Sequence, residues 1–310
     1  GVITNDWWRI APFLHAAGIR KNQLIQNCFS YHFTPAGAMF ESGALEIGAR
    51  VFPAGTGHTE LQARAAAYLK VNAYAGTPDF LIKILDKAEA LSLDLSHLKT
   101  ACVGGGPLFP SLLDAYSDKG ISCLQCYATA DLGNIAFESI SGQPLVVEES
   151  IIVEVVYPGT GIPVPTGEIG EVVVTTLNPD YPLIRFATGD MSSIVPGMSE
   201  CGRTNTRIAG WQGRADQATK VKGMFVRPEQ VLSLVSRHKE IIKVRVEISL
   251  SGVEDVMVVK IEINSNSDAD YQSLVHEALK LRAKVVICEP GSLPVDGIMI
   301  EDKRPIKKIL

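Results

Sequence analysis

From Asp6 to Tyr127 the sequence switches repeatedly between two apolar spacings, and that alternation constrains the fold more than any other feature. DWWRIAPFLHAAGI carries apolar residues at helical spacing with Asn5 or Asp6 as its cap, and LIQNCFSY reads as a strand. There follow a helix around AGAMFESGALEIG, a short strand ARVFPAG, a helix from Thr59 through Tyr68 and a strand VNAYAG. Helix FLIKILDKAEAL, strand TACVGGG, helix FPSLLDAYSDKG and strand ISCLQCY complete the series. Strands joined through helices return parallel, so this part predicts a layered α/β core.

Past Tyr127 the texture changes. IIVEVVYPG and GEIGEVVVTTL are β-rich with turn residues between them, as in a sheet meander. From about Ala215 a third texture begins: a basic turn ATKVKGMFV, a helix PEQVLSLVSRH opened by Pro228, strands KVRVEISL and VMVVKIEIN, a helix ADYQSLVHEALKL and a strand KVVICE. This βαββαβ-like pattern describes a compact unit able to fold alone. The expected domains are 1–214 and 215–310, with a polar loop NSNSDAD and no internal repeat or low-complexity tract.

Composition removes several classes of function. The hydrophobic share of 46% over 310 residues sustains a well-buried core, and a formal net charge of −5 without a basic stripe gives no nucleic-acid surface. No apolar run approaches the ~18 residues of a spanning helix. Gly1-Val2-Ile3 has neither an initiator methionine nor a charged-then-apolar leader, so the chain is expected to start at a cut and to be soluble and cytoplasmic. Six cysteines sit mostly in apolar stretches and read as reduced, buried thiols. Cys123 and Cys126 form a CLQC, but a metal site needs three or four convergent ligands and no second CxxC exists.

The chemistry-bearing residues fall in four segments. CVGGGPL, residues 102–108, lies between a strand and a helix, where glycines let a planar or anionic ligand approach the backbone; a tight turn is the alternative. Neither GxGxxG nor the lysine-containing phosphate loop is present. CYATADLG brings Tyr127, Thr129 and Asp131 together at a strand's carboxyl end: an aromatic face, a hydroxyl and a carboxylate suited to a base, a phosphate and a magnesium ion. FATGDMS sets Asp190, an acceptor-only side chain, directly after a Gly turn. WQGRADQATKVKGMFV places Arg214, Asp216, Lys220 and Lys222 among glycines at the domain junction.

The order GGGPL, YATADLG, PLIRFATGD, GRADQATKVKGMFVRPEQV resembles the successive motifs of the adenylate-forming ligases, and most closely their phenylacetate–coenzyme A ligase branch, over nearly the whole chain. The resemblance implies that fold: a large layered α/β domain with a β-rich subdomain and a small mobile C-terminal α+β domain. It implies adenylation of an aryl or similar small carboxylic acid by ATP and transfer of the acyl group to coenzyme A, with AMP and Mg2+ at the site. No nucleic acid or membrane is implied as partner, and a homodimer is left open.

By the same resemblance Gly104, Gly105, Gly106 and Pro107 floor the adenine and acyl sites, Tyr127 stacks on adenine beside Ala128, and Thr129 touches phosphate. Asp131 stands where most relatives have a glutamate for magnesium. Asp190 and Arg214 hold the ribose, His32 in SYHFTPAG sits beside the carboxylate and acyl pocket, and Asp216 is the hinge. Two departures stand out. The Ser/Thr/Gly-rich phosphate loop of relatives is not in this chain, and Ile298 occupies the place of the adenylation lysine, leaving Lys303, Lys307 and Lys308 farther along. Lys303 could serve by a local shift or be a surface charge. A nucleotide-binding homologue without catalysis, or a different acyl acceptor, remain the alternative functions.

Overall fold

The computed structural model describes residues 4–252, 254–264, 269–294, 296 and 298–305. The chain divides into two compact units between Gln212 and Gly213.

The first unit opens with a 3-10 turn, Thr4–Asp6, followed by α1 (Ala11–Ala16). The long helix expected from Asp6 onward is therefore broken, although its apolar residues are buried as helical spacing suggests. Arg9 takes a positive φ of 62°, and the Asp6 carboxylate caps the shorter helix by accepting from the Ile10 and Ala11 amides at 2.9 and 2.7 Å. The break frees the Trp8 and Arg9 carbonyls to accept from the Asn134 amide at 2.9 Å and its side chain at 3.1 Å. Hydrogen bonding to Asn134, far along the chain, thus outweighs local helical preference here.

After α1 come β1 (Leu24–Asn27), α2 (Ala36–Glu46), β2 (Arg50–Phe52), α3 (Thr59–Leu69), β3 (Ala73–Gly76), α4 (Pro78–Ala90), β4 (Thr100–Val103), α5 (Pro110–Asp118) and β5 (Ser122–Thr129). Every expected helix and strand of this series is present. Pro78 and Pro110 each begin a helix, where a missing N–H costs no hydrogen bond. The strands β2-β1-β3-β4-β5 are parallel, each register stepping to the next through a helix. At β5 the sheet changes character: β6 (Gly133–Phe137), β7 (Leu145–Val147), β12 (Arg207–Ile208) and β11 (Ile194–Val195) continue it antiparallel to nine strands. A separate three-stranded meander joins β8 (Ile151–Val156), β9 (Gly170–Thr176) and β10 (Phe186–Ser192).

Buried apolar side chains hold this unit. Phe13, Leu14, Phe29 and Phe40 pack with Ile25, Cys102 and Phe137 under the parallel strands, and Leu132, Ile135, Val172, Val174 and Ile208 pack under the β-rich part. Phe29 and Phe40 stack with ring centroids 4.2 Å apart and planes inclined by 27°. Each buried side chain of this size contributes roughly 1.5–3 kcal/mol against exposure.

The second unit departs from a simple βαββαβ order. It begins with a hairpin, β13 (Thr219–Val221) with β14 (Met224–Val226), then α6 (Pro228–Arg237), β15 (Ile241–Ser251), β16 (Glu254–Ile263), α7 (Tyr271–Leu279), β17 (Lys284–Cys288) and β18 (Ile300–Asp302). Its four-stranded sheet runs β17-β16-β15-β18, with β18 parallel to β15. Val231, Leu234, Val275 and Leu279 from the helices meet Val244, Val246, Val259 and Ile261 of the sheet in a core of their own. Gln217, at a positive φ of 59°, accepts from the Met299 amide at 2.9 Å and so ties the start of this unit to the approach of β18.

Candidate active site

β1 connects outward to β2 on one side, whereas β3 connects to β4 on the other, so the parallel strands part at their carboxyl ends between β1 and β3. Ligands of open α/β sheets bind at such a point. Three of the four chemistry-bearing segments belong to this unit, and two of them leave the carboxyl ends of β4 and β5.

The loop after β4 approaches its neighbours closely. Gly104 is buried, and a Cβ there would lie 2.9 Å from the Cys126 Sγ and 3.4 Å from the Cys126 carbonyl. Gly105 is exposed at φ 69°, and Gly106 and Pro107 are half-buried. The glycines therefore serve two needs, backbone approach to β5 and a left-handed turn.

At the end of β5, Tyr127, Ala128 and Thr129 are half-buried and Asp131 is exposed. The Thr129 hydroxyl oxygen accepts from the Leu132 amide at 3.1 Å, which closes the turn carrying Asp131. Gly133, at φ 74°, lets Trp8 lie against that turn, since a Cβ there would meet the Trp8 carbonyl at 2.8 Å. Among the described residues no cluster of three or more His, Cys, Asp or Glu could hold a metal ion. A magnesium ion taken with substrate phosphates needs only one or two carboxylates, and exposed Asp131 beside Thr129 fits that demand.

The strongest geometry is at the Thr-Gly-Asp segment. β10 and β9 pair at Ala187↔Val173 and again at Met191↔Glu171, so Thr188, Gly189 and Asp190 together oppose Val172 alone. The bulge is pinned from within: Thr188 donates to the Val172 carbonyl at 2.9 Å, and the Gly189 amide donates to Glu171 at 3.1 Å. Both oxygens of Asp190 are then engaged. Tyr127 donates its hydroxyl to Oδ2 at 2.9 Å, and the Trp211 indole Nε1 donates to Oδ1 at 3.1 Å. Structure thus brings together Tyr127 and Asp190, two segments separated by 63 positions.

Trp211 was not among the residues expected from sequence. Residues 207–212 run antiparallel beside 191–195: the Ala209 amide donates to the Ser193 carbonyl at 3.0 Å and the Gln212 amide to the Met191 carbonyl at 2.8 Å, while the Ser192 hydroxyl donates to the Gly210 carbonyl at 2.7 Å. That ladder delivers the indole to Asp190. The only sequence signal was an aromatic ring N–H just before Gly213-Arg214.

His32 lies in the loop after β1, exposed, with its ring edge against Phe33 at 4.2 Å. Asn27, at the end of β1, donates to the Tyr31 hydroxyl and to the Gly37 carbonyl, both at 2.8 Å, which fixes the base of that loop. Cys123 and Cys126 are free, buried thiols three positions apart on β5, so they point to opposite faces.

The remaining expected residues belong to the second unit. Arg214 grips Asp216 with two parallel hydrogen bonds, and its guanidinium also stands 5.5 Å from the Phe225 ring centre. Hydrogen bonding from Arg214 holds the Asp216 carboxyl below its ordinary range. Lys303 lies at the sheet surface between Glu247 at 3.0 Å and Glu301 at 3.4 Å, and the Glu247 hydrogen bond raises its affinity for its proton. Ile298 is exposed, while Lys307 and Lys308 lie outside the described residues.

Comparison with known proteins gives the same class. The family model for AMP-binding enzymes matches residues 9–178. The phenylacetate–coenzyme A ligase of Aromatoleum evansii is 27% identical across 97% of this chain and 74% of its own length. That of Escherichia coli K12 is 27% identical across 88% of this chain and 63% of its own. Among solved structures, 2-hydroxyisobutyryl-CoA ligase in complex with 2-HIB-AMP and CoA superposes with a TM-score of 0.78 at 22% identity, over 96% of this chain and 69% of that one. The amide bond synthetase McbA of Marinactinospora thermotolerans gives 0.65 at 17% identity, over 93% and 61%. Fold and comparisons together define an adenylate-forming ligase architecture. The chain belongs to the AMP-binding enzyme family. Among the described residues no helix is long and apolar enough to cross a membrane.

Proposed function

We propose that this chain carries the nucleotide- and acid-binding parts of an ATP-dependent acid–thiol ligase that adenylates an aryl or similar small carboxylic acid and passes the acyl group to coenzyme A. The observation that carries this reading is the Asp190 carboxylate, lifted out of β10 by a bulge and held by Tyr127 and Trp211. A carboxylate accepts several hydrogen bonds at once, which is what recognition of a ribose diol would call on. The Tyr127 ring would lie under the adenine, with the glycines of 104–106 and Pro107 forming the floor. Thr129 would donate to a phosphate oxygen.

A carboxylic acid is a poor acyl donor. Attack of its oxygen on the α-phosphorus forms the acyl-adenylate and expels pyrophosphate; attack of a thiolate on the acyl carbon then releases AMP. Asp131 would hold magnesium, which supplies charge neutralisation on the phosphates when bound. Arg214 would reach the ribose, and Asp216 would be the position about which the second unit turns between the two steps. Both assignments rest on the motif order.

The test is Asp190→Ala, which should weaken AMP binding by about 1.5–3 kcal/mol in calorimetry, the range for hydrogen bonds to a charged group, with an unchanged fold. Unaltered affinity in a folded variant would remove Asp190 from the site. Ile298 favours a second reading, a nucleotide-binding homologue without adenylation, and hydroxamate trapping over a panel of acids separates the two.

A further inference from the structure

Arg9 has no part in the reading above, yet its side chain, only 15% exposed, ends on the turn that carries Asp131. We propose that Arg9 is a positioning residue that sets the turn between β5 and β6, and with it Thr129 and Asp131, for the phosphates of a nucleotide and their magnesium ion. The proposal rests on the reading of Thr129 as the phosphate donor and of Asp131 as the magnesium carboxylate.

Three observations carry it. First, the guanidinium joins three separated stretches of chain. It donates to the Leu132 carbonyl and, at 3.4 Å, to the Trp7 carbonyl, and its Nε stands 3.4 Å from the Glu148 carboxylate just past β7. Glu148 is itself anchored, since the same oxygen accepts from the Ser150 amide at 2.8 Å and from its hydroxyl at 2.7 Å. Second, the contact runs on to the functional side chain. Leu132 gives its carbonyl to Arg9 and its amide to the Thr129 hydroxyl oxygen, so one residue links the guanidinium to Thr129, with Asp131 between them in the chain. The following residues are held by the same segment: Asn134 donates to the Trp8 and Arg9 carbonyls, and a Cβ on Gly133 would come within 3.2 Å of a terminal Arg9 nitrogen. Third, Arg9 is unfavourable to place. It takes a φ of 62°, uncommon for a residue with a side chain, and its cation is largely withdrawn from water. Such backbone persists where its surroundings over-determine it, and it clusters where functional groups are preset.

An arginine that served the fold alone would support every ligand alike, whereas a positioning arginine matters to ligands that reach the turn. Calorimetric affinities of adenosine and of ATP with Mg2+, for the unaltered protein and for Arg9→Lys, separate the two. The unaltered protein should bind ATP with Mg2+ more tightly than adenosine by about tenfold or more, because charge-assisted contacts are the strong ones. Lysine keeps the charge beside Glu148 but lacks the planar fork that reaches Leu132 and Glu148 together. The variant should lose about tenfold in affinity for ATP with Mg2+, as loss of support behind a metal-binding group costs, and hold adenosine within about twofold. Undiminished ATP affinity in the folded variant, or an equal loss for both ligands, overturns the role of Arg9 alone. An unaltered protein that binds the two ligands equally, or neither, overturns the reading of Thr129 and Asp131 and this proposal with it. One measurement needs no variant: hydrogen exchange in the unaltered protein should find the Leu132 amide as slow as those in the middle of β5, and exchange as fast as in an exposed loop would show a turn that Arg9 does not hold.

Discussion

Arg214 closes on Asp216 through a two-pronged contact, Nε to Oδ1 at 2.8 Å and a terminal nitrogen to Oδ2 at 2.7 Å. The same carboxylate accepts from the Ala218 amide at 3.0 Å, so residues 214–218 form a locally braced turn at the beginning of the second unit. If this turn is the hinge, Asp216→Pro, which fixes φ and alters the brace, should impair one half-reaction more than the other. Pyrophosphate exchange and thioester formation report the two steps separately, and equal losses would place the hinge elsewhere.

The glycine loop offers a contrast between neighbours. Gly104→Ala drives a methyl to 2.9 Å from the Cys126 sulfur in a buried place, whereas Gly106→Ala meets nothing nearer than the Pro78 Cδ at 3.7 Å. Unfolding in urea should show Gly104→Ala destabilised by about 1–3 kcal/mol, as overpacking costs, and Gly106→Ala nearly unchanged.

Burial pushes the Asp6 carboxyl up to about 6 despite the two backbone amides that favour its charged form. In the unfolded chain it titrates near 3.8, so between those values the native state binds more proton and stability falls as pH rises; above about 6 that loss is complete. Asp6→Asn removes this contribution. The stability difference between pH 4 and pH 7 should therefore move in favour of pH 7 in the variant, and an unaltered pH profile would refute the shift.

Cys201 is exposed, and although what burial it has acts in the opposite sense, hydrogen bonds from Ser139 and Ser199 and the charge of Arg203 bring its thiol down to about 7. Burial raises Cys28, Cys102, Cys123 and Cys126 instead. Iodoacetamide at neutral pH should label Cys201 well ahead of those four, with a rate that rises through about pH 7, and peptide mapping would reveal any other order.

Lys303 was the sequence candidate for the adenylation cation, and its ammonium is shared by Glu247 and Glu301. At 43% exposure such a pair is worth about 0–1 kcal/mol, so Lys303→Ala should leave the fold intact. Pyrophosphate exchange should stay within about fivefold, a change in barrier of about 1 kcal/mol, and rise in Ile298→Lys. A loss of several orders of magnitude in Lys303→Ala would instead make Lys303 the catalytic cation.

Much of the first unit was legible because its strands and helices differ in period and each is closed by its own turn chemistry. The helix drawn through Trp7 to Ile19 failed because apolar spacing cannot report that Trp8 and Arg9 give their carbonyls to Asn134, a partner far along the chain. β18 escaped notice for a related reason: three residues, Ile300–Asp302, are strand only because β15 lies beside them. At the site, Asp190 was visible in Thr-Gly-Asp, whereas Trp211 was not. Its contact depends on an antiparallel ladder whose register no local pattern encodes.

The bulge in β10 has an effect unrelated to ligands. β10 is an outer strand of its three-stranded sheet, and an uninterrupted outer strand presents a row of amides and carbonyls that a second molecule can join. Thr188, Gly189 and Asp190 break that row at its centre and replace it with a carboxylate. The residues that present the Asp190 acceptor thereby also interrupt the edge, the kind of irregularity by which outer strands resist edge-to-edge pairing.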